Sequence, residues 1–311
     1  MANPSRMTRA PRRLGCDKQE EGAQVRDFDR YARPPLHRNR CDYLQHRARR
    51  ISVTIPMPSV FFGHGNPMNA VQQNAFTDGW RRISASILKP RAILAISAHW
   101  YLPATAVTIA RAPKTIHDFG GFPAELFQVQ YPAPGDEWLA RRVRSLLHPY
   151  KVDFDDSWGL DHGTWSVLRH AYPDADVPVV QLSINEAHPA SLHFELGRQL
   201  APLRGEGVLV VGSGNIVHNL EAYAWGRHVP DPYDWAERFE NVAKQLMLSG
   251  DFTSLINYEH LGRDAQLSIP TPEHFLPLLY VLGTQQPGDQ LSFPVSGFDG
   301  GSISMLCVQL G

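Results

Sequence analysis

From Pro58 onward the chain repeats short apolar runs rich in β-branched residues, each bounded by Gly, Pro or Asn. This repeat restricts the possible folds more than any other feature, because runs of this length and composition are typical of strands buried on both faces. Strands are therefore predicted over 59–62, 92–97, 177–184, 208–211 and 302–310. The segment 104–110 alternates more regularly and predicts an edge strand or an antiparallel strand.

Amphipathic segments separate these strands and predict helices over 68–88, 136–148, 164–171, 190–203 and 234–249. Strands that alternate with helices favour an α/β fold in which helices cover both faces of one sheet. With 311 residues the chain is long enough for one large domain, and no composition break after residue 57 divides it.

The first fifty residues differ from the rest in charge. They contain twelve Arg and one Lys against six Asp and Glu, a net charge of +7, so that the remainder carries −8 of the total of −1. We predict a disordered or non-native extension over 1–56 and a single globular domain over 57–311, because an Arg-rich segment with few apolar residues cannot bury enough surface to fold alone. A basic arm or an organellar presequence is the alternative.

Composition also limits the partners. A net charge near zero gives no reason to expect nucleic acid, and a chain without an 18-residue apolar run or an apolar leader is expected to be neither membrane-bound nor secreted. The three cysteines are far apart in the sequence, so we predict neither a disulfide framework nor a cysteine zinc site. We expect a cytoplasmic protein and predict no particular oligomeric state.

Four histidines lie where the chain reverses abruptly. His64 stands between two glycines after the first strand, His99 ends the second, and His218 follows the fourth. His274 opens a late apolar helix whose predicted N-cap is Thr271. Because ligands bind beyond the carboxyl ends of the strands in open α/β sheets, these side chains are predicted to share one site.

Imidazole is the commonest metal ligand, and three or four imidazoles suit Zn²⁺ or Fe²⁺. The pattern therefore predicts one divalent metal, held chiefly by His64, His99 and His274. Six of the 14 histidines are predicted to be ordinary surface residues: His37, His46, His148, His188, His228 and His260.

Two loops combine titratable, glycine and aromatic residues. The first, 116–123, contains His117, and the second, 160–165, contains Asp161 and His162. The functional interpretation places these side chains beside the metal and the substrate, with Tyr131 as a further aromatic wall. The alternative is that they cap turns.

Several blocks in this order resemble the class III extradiol ring-cleavage dioxygenases, in particular the 4,5-DOPA-extradiol-dioxygenase-like branch. The resemblance covers nearly everything from Pro58 to Gly311. Its motifs lie at 63–68, 97–100, 115–123, 131–135, 161–163, 181–184, 213–220 and 271–283.

The resemblance implies a three-layer α/β/α sandwich around a mixed sheet and a non-haem metal centre. By the same resemblance, His64 and His99 are two metal ligands and His274 is the third. His218 matches a position that is either an acid/base histidine or a further metal ligand.

The resemblance also makes His162 and His117 substrate-facing or acid/base residues. Better-known members of the class use two histidines and a carboxylate, so Glu273 is the alternative to His274 as a ligand, and His274 is favoured.

The implied reaction is cleavage of a single-ring catechol such as L-DOPA by O₂, which requires Fe²⁺ because zinc has no redox chemistry. Two other hypotheses stay open at this point. A zinc-loaded protein would act as a hydrolase through an activated water, and a metal-stabilised binding protein would need no free coordination position.

Overall fold

The computed structural model describes residues 56–225 and 231–311. The prediction of an extension over 1–56 therefore falls, except for Pro56, outside the described residues. Within them, eight strands form one sheet and two short strands form a separate ladder. The bounds are β1 Ser59–Gly63, β2 Ala92–Leu102, β3 Ala106–Thr108, β4 Asp153–Asp155, β5 Val179–Asn185, β6 Val208–Gly214, β7 Leu291–Val295, β8 Phe298–Asp299, β9 Ile303–Ser304 and β10 Cys307–Leu310.

The order of strands in the large sheet is β4-β3-β5-β2-β6-β1-β10-β7. The four central strands β5, β2, β6 and β1 are parallel, whereas β10 and β7 add to β1 in antiparallel fashion. The sheet is therefore mixed, as predicted. The strand predicted over 104–110 is β3, which pairs antiparallel with β5, but it is not the edge because β4 pairs with its other side.

Helices cover both faces of this sheet. Their bounds are α1 Ala75–Ala85, α2 Glu137–Leu146, α3 His162–Ala171, α4 Ala190–Leu200, α5 Pro202–Gly205, α6 Asp234–Ser249, α7 Phe252–Ile256, α8 Arg263–Ser268 and α9 Leu276–Gly283. None of those in the described part of the chain combines the length and apolar character that crossing a membrane requires.

Side chains of β2 show how one strand serves both layers. Leu94 and Ile96 pack with α2, α4, α6 and α9, whereas Ile93 and Ala95 pack with α1 and α3. Successive residues of a strand point to opposite faces, so a fully apolar strand needs cover on both sides. The predicted α/β/α layering is confirmed.

Three predicted elements are broken in the structure, and one of them, the helix predicted over 190–203, is divided at Ala201 into α4 and α5. The helix predicted over 68–88 begins only at Ala75, because the Asn74 side chain accepts hydrogen bonds from Phe76 N and Thr77 N and starts a new helix there. A separate 3₁₀ turn, Pro67–Ala70, precedes it.

The strand predicted over 302–310 is divided between β9, which pairs with β8, and β10, which belongs to the large sheet. Between them, Met305 N donates to Gly297 O and Leu306 N donates to the Ser304 hydroxyl. Neither N–H bonds to a strand of the large sheet, so the chain leaves the small ladder here and joins the large sheet only at Cys307.

Arg204 is buried at the amino-terminal end of the sheet. Its guanidinium donates to Met57 O at 2.6 Å, to Thr284 O at 2.9 Å and to both carboxylate oxygens of Asp289. These contacts join the first described residues to the loop before β7. Replacing Arg204 by Met should lower the free energy of unfolding by about 3–5 kcal/mol, because it removes a fully buried guanidinium and leaves the largely enclosed Asp289 carboxylate without its charged partner.

The matched control is Arg198→Met, whose ion pair with Glu195 is largely exposed. That change should cost at most about 1 kcal/mol. Urea unfolding of the two variants measures the difference, and equal losses would contradict a structural role for the Arg204 cluster.

Candidate metal centre

The histidines predicted near strand ends meet at the carboxyl edge of the parallel strands, although His99 lies within β2, which continues to Leu102. His64 directly follows β1, and the glycines on either side have separate reasons to be glycine. A Cβ at Gly63 would lie 2.7 Å from Met305 C, and Gly65 has φ +59°. These two positions let the chain turn tightly while the buried His64 ring enters the site.

Hydrogen bonds fix which nitrogen of His64 faces the centre. The Ser213 hydroxyl donates to Gly163 O at 2.6 Å, so it accepts from His64 Nδ1, 3.1 Å away. His64 therefore carries its proton on Nδ1, and its Nε2 has a free lone pair. That Nε2 lies 3.2 Å from Nε2 of His99.

Carboxylates orient the next two rings. His99 Nδ1 lies 3.3 Å from Asp118 Oδ2, and His274 Nδ1 lies 3.1 Å from Glu273 Oε1. Glu273 accepts the Nδ1 proton of His274, and the negative charge of Asp118 near His99 Nδ1 favours a proton there as well, so that Nε2 is the unprotonated nitrogen on both histidines. One ring nitrogen from each of His64, His99 and His274 lies within 4.8 Å of the others.

This arrangement fits one divalent cation. Two lone pairs that face each other at 3.2 Å repel unless a positive charge lies between them. Nitrogens bonded at about 2.1 Å to a shared metal are separated by roughly 3.0–3.4 Å in octahedral or tetrahedral geometry. Burial, together with the neighbouring histidines, lowers the pKa of His64 and His99 well below the usual value, so the rings are neutral and their nitrogens are free to bind a cation.

Glu273 lies beside His274 and orients its ring. Burial raises the pKa of Glu273, but hydrogen bonds from His274 and Thr271 outweigh it and bring the pKa to about 2. The carboxylate is thus ionised, and it accepts hydrogen bonds from His274 Nδ1 and from the Thr271 hydroxyl. The predicted N-cap at Thr271 is wrong: α9 begins at Leu276, and the Thr271 hydroxyl bonds to Glu273 instead of a backbone N–H.

His218 stacks on His274 with ring centroids 3.5 Å apart and an interplanar angle of 6°. One of its ring nitrogens groups with side-chain atoms of Glu273 and His274. It is not part of the group of nitrogens formed by His64, His99 and His274. Burial and the neighbouring His274 lower the pKa of His218, so its ring is neutral too.

His162 lies on the opposite side, with its ring centroid 3.8 Å from that of His99. It is the first residue of α3, whose N-cap is Asp161. The buried Asp161 carboxylate also accepts from Ser97 Oγ and Gln181 Nε2, both at 2.7 Å. The sequence placed Asp161 near the site, and in the structure it anchors the backbone below the histidines.

Two other predicted site residues lie elsewhere. His117 Nε2 donates to Val129 O at 3.0 Å, and its ring packs between Phe119 and Trp165. The Tyr131 hydroxyl donates to the Tyr172 carbonyl. Neither side chain is among those that line the pocket.

The pocket over the histidines encloses about 650 Å³, counting its open mouth. Its floor consists of five histidines, and its walls are largely apolar. The lining residues are His64, Gly65, Asn66, Pro67, His99, Phe122, His162, His218, Leu220, Tyr223, Trp225, His274 and Ile303. Asp118 was missed as a partner of these rings, because its loop position alone does not show which way the carboxylate turns.

Gly163 offers a steric test of this packing. A Cβ there would lie 2.6 Å from Ser97 Oγ and 2.8 Å from His99 Cδ2. Gly163→Ala should displace His99, weaken metal retention and lower the free energy of unfolding by about 1–3 kcal/mol. Gly205→Ala is the control, because a Cβ at Gly205 meets no atom within 4 Å. The thermal unfolding midpoint and the metal content of both variants test this prediction. Equal values for Gly163→Ala and Gly205→Ala would contradict the close packing of Gly163 against His99.

Comparison with known proteins identifies the family. Residues 56–294 match the family model described as the catalytic LigB subunit of aromatic ring-opening dioxygenase. The chain is 49% identical over 260 residues to a protein of Escherichia coli (strain K12) named 4,5-DOPA dioxygenase extradiol, covering 82% of this chain and 95% of that protein. A protein of Beta vulgaris with the same name is 38% identical over 251 residues, covering 78% and 92%.

A solved structure extends the likeness to the fold. The crystal structure of an uncharacterized protein from Escherichia coli K12 superposes with a TM-score of 0.72 at 43% sequence identity, covering 82% of this chain and 100% of that one. Sequence, fold and the histidine cluster agree with the extradiol resemblance. This chain belongs to the family of catalytic LigB subunits of aromatic ring-opening dioxygenases, and it is an oxidoreductase of the dioxygenase type.

Proposed function

We propose that this protein cleaves a single-ring catechol such as L-DOPA next to its hydroxyls, inserts both atoms of O₂, and does so with one Fe²⁺ held by His64, His99 and His274. The observation that carries the proposal is the convergence of three unprotonated ring nitrogens, two of them 3.2 Å apart, at the floor of an open pocket.

The choice of substrate is supported by the relatives and by the pocket walls. The proteins from Escherichia coli and Beta vulgaris are both named 4,5-DOPA dioxygenase extradiol. Phe122 and Tyr223 line this pocket and offer aromatic faces against which a catechol ring packs.

Iron is proposed because of the reaction. Fe²⁺ supplies, when bound, the redox chemistry by which dioxygen attacks an aromatic ring, and Zn²⁺ lacks it. A set of three imidazoles also binds Zn²⁺ well, so we expect zinc to occupy the site in aerobically purified protein and to leave it inactive. The family membership favours this oxygenase role over a zinc hydrolase or a binding protein.

His162 and His218 are proposed to move protons. Both line the pocket, and each contacts one ligand candidate: His162 packs at a tilt against His99, and His218 stacks on His274. Ring cleavage needs a base for a catechol proton and an acid for the opening step, and a neutral imidazole that accepts a proton from the substrate can return it later in the reaction. Asp118 beside His162 favours that ring as the base, because a carboxylate stabilises the imidazolium that forms.

The test is anaerobic loading of metal-free protein with Fe²⁺, followed by L-DOPA and air. We expect oxygen uptake that is stoichiometric with catechol loss and a yellow ring-opened semialdehyde that absorbs in the near-visible. The same protein loaded with Zn²⁺ is the control and should consume no oxygen. Absence of oxygen uptake with L-DOPA and with simpler catechols would refute the proposal.

A further inference from the structure

One carboxylate contacts two of the five pocket histidines. Asp118 Oδ2 lies 3.3 Å from His99 Nδ1, and its Oδ1 accepts the backbone N–H of His162 at 2.9 Å. The same Oδ1 lies 3.0 Å from His162 Nδ1. The backbone of Asp118 reaches the surface, but its side chain is only 17% exposed. Ser213 is the partner of His64, and Glu273 is the partner of His274. Neither of these two side chains makes a hydrogen bond to His162 as well.

The bridge joins two elements that are distant in the chain. His99 lies in β2, and His162 begins α3 on another segment. Asp118 holds the backbone of His162 through a hydrogen bond and lies within 3.3 Å of a nitrogen of each ring, so its position bears on the 3.8 Å separation of the two ring centroids. A shift of its loop would therefore move a metal ligand and the proposed base together.

We infer that Asp118 is a positioning residue that holds His99 in the tautomer able to bind metal and, through its other oxygen, holds His162 against His99 at the substrate pocket. Asp118 does not line the pocket itself. The His162 half of this inference rests on the proposed function, whereas the His99 half depends only on metal binding.

Asp118→Asn separates the two contacts, because an amide has one acceptor oxygen and one donor nitrogen. If the amide oxygen keeps the His162 N–H, the amide NH₂ faces His99 Nδ1 and favours the tautomer whose Nε2 is protonated. If the amide is reversed, the His162 N–H loses its acceptor. In either orientation one of the two rings loses its support.

Metal affinity is measured first, with Zn²⁺ alone in competition with a chromogenic chelator. Loss of such an outer partner typically costs about 10–100-fold in metal affinity, and we expect that loss for Asp118→Ala, which removes both oxygens. Asp118→Asn should give the same loss when its amide nitrogen faces His99. Asp153→Asn, at an exposed carboxylate in β4 paired with Lys151, is the control and should bind Zn²⁺ like the wild type. The unfolding midpoint of the metal-free variants shows that the fold is intact.

The second measurement is kinetic, at saturating Fe²⁺, with Asp118→Asn, His162→Gln and the double variant. If Asp118 acts through His162, each single change lowers kcat while KM for the catechol stays the same, and the double variant is no slower than His162→Gln. Effects that multiply would show that Asp118 acts on something other than His162.

The two arms fail separately. Wild-type Zn²⁺ affinity in Asp118→Asn and Asp118→Ala would overturn the inference for His99, whatever the reaction is. If the wild-type protein does not cleave catechols, the proposed function fails, and the Zn²⁺ titration still decides whether Asp118 positions His99.

Discussion

Replacing His64 by Ala should abolish both metal retention and catechol cleavage while the protein stays folded. His64 Nε2 is one of the three nitrogens that converge, and its ring is almost fully buried between the rings of His99 and His274. Removing a direct ligand should cost more than the roughly 10–100-fold in metal affinity that follows loss of an outer partner. The fold should survive, because the Ser213 hydroxyl keeps its hydrogen bond to Gly163 O.

Metal content after dialysis, oxygen uptake with L-DOPA and the thermal unfolding midpoint measure these effects. His260→Ala is the matched control, since His260 is exposed in a 3₁₀ turn away from the pocket. A His64→Ala protein that retains stoichiometric metal and turns over catechol would rule out the three-histidine centre.

The clustering of the strand-end histidines was predictable because the carboxyl ends of parallel strands meet at one edge of a sheet. Buried parallel strands such as β1 and β6 are also the easiest to detect, since both of their faces are apolar. A histidine that directly follows such a strand is therefore predicted to lie at the carboxyl edge of the sheet, even when none of its contacts is known.

Other elements carry no such signal. β7 alternates between partly exposed and exposed residues and contains Pro294, which is tolerated at a sheet edge, so its pattern is weak. The beginning of α9 was misplaced because a Thr-Pro pair looks like a helix start, and only the tertiary structure shows that the Thr271 hydroxyl bonds to Glu273.

The partners of the histidines are a further class that local sequence does not reveal. Asp118 reaches His99 and His162 from a loop, and His170 is buried between Arg81 and the Asn69 carbonyl. These contacts join segments 19 to 101 residues apart. They depend on how loops pack, so sequence reasoning identified the rings and missed what holds them.

The second large effect is expected at His218, which the sequence left as either a metal ligand or an acid/base residue. His218→Gln should lower kcat by about 10²–10⁴-fold, the usual contribution of a positioned acid or base. Metal content should stay at the wild-type level, because the convergent nitrogens belong to the other three histidines and His218 lies with Glu273 and His274.

A companion variant, His218→Phe, separates proton transfer from packing. Phe keeps an aromatic ring stacked on His274, where the centroids are 3.5 Å apart in the wild type, but it has no nitrogen. If His218 moves a proton, both variants are slow and both retain metal. If its ring only supports His274, the Phe variant should be nearly as fast as the wild type. Loss of metal from both variants would instead make His218 a fourth ligand, and the centre would then be a four-histidine site.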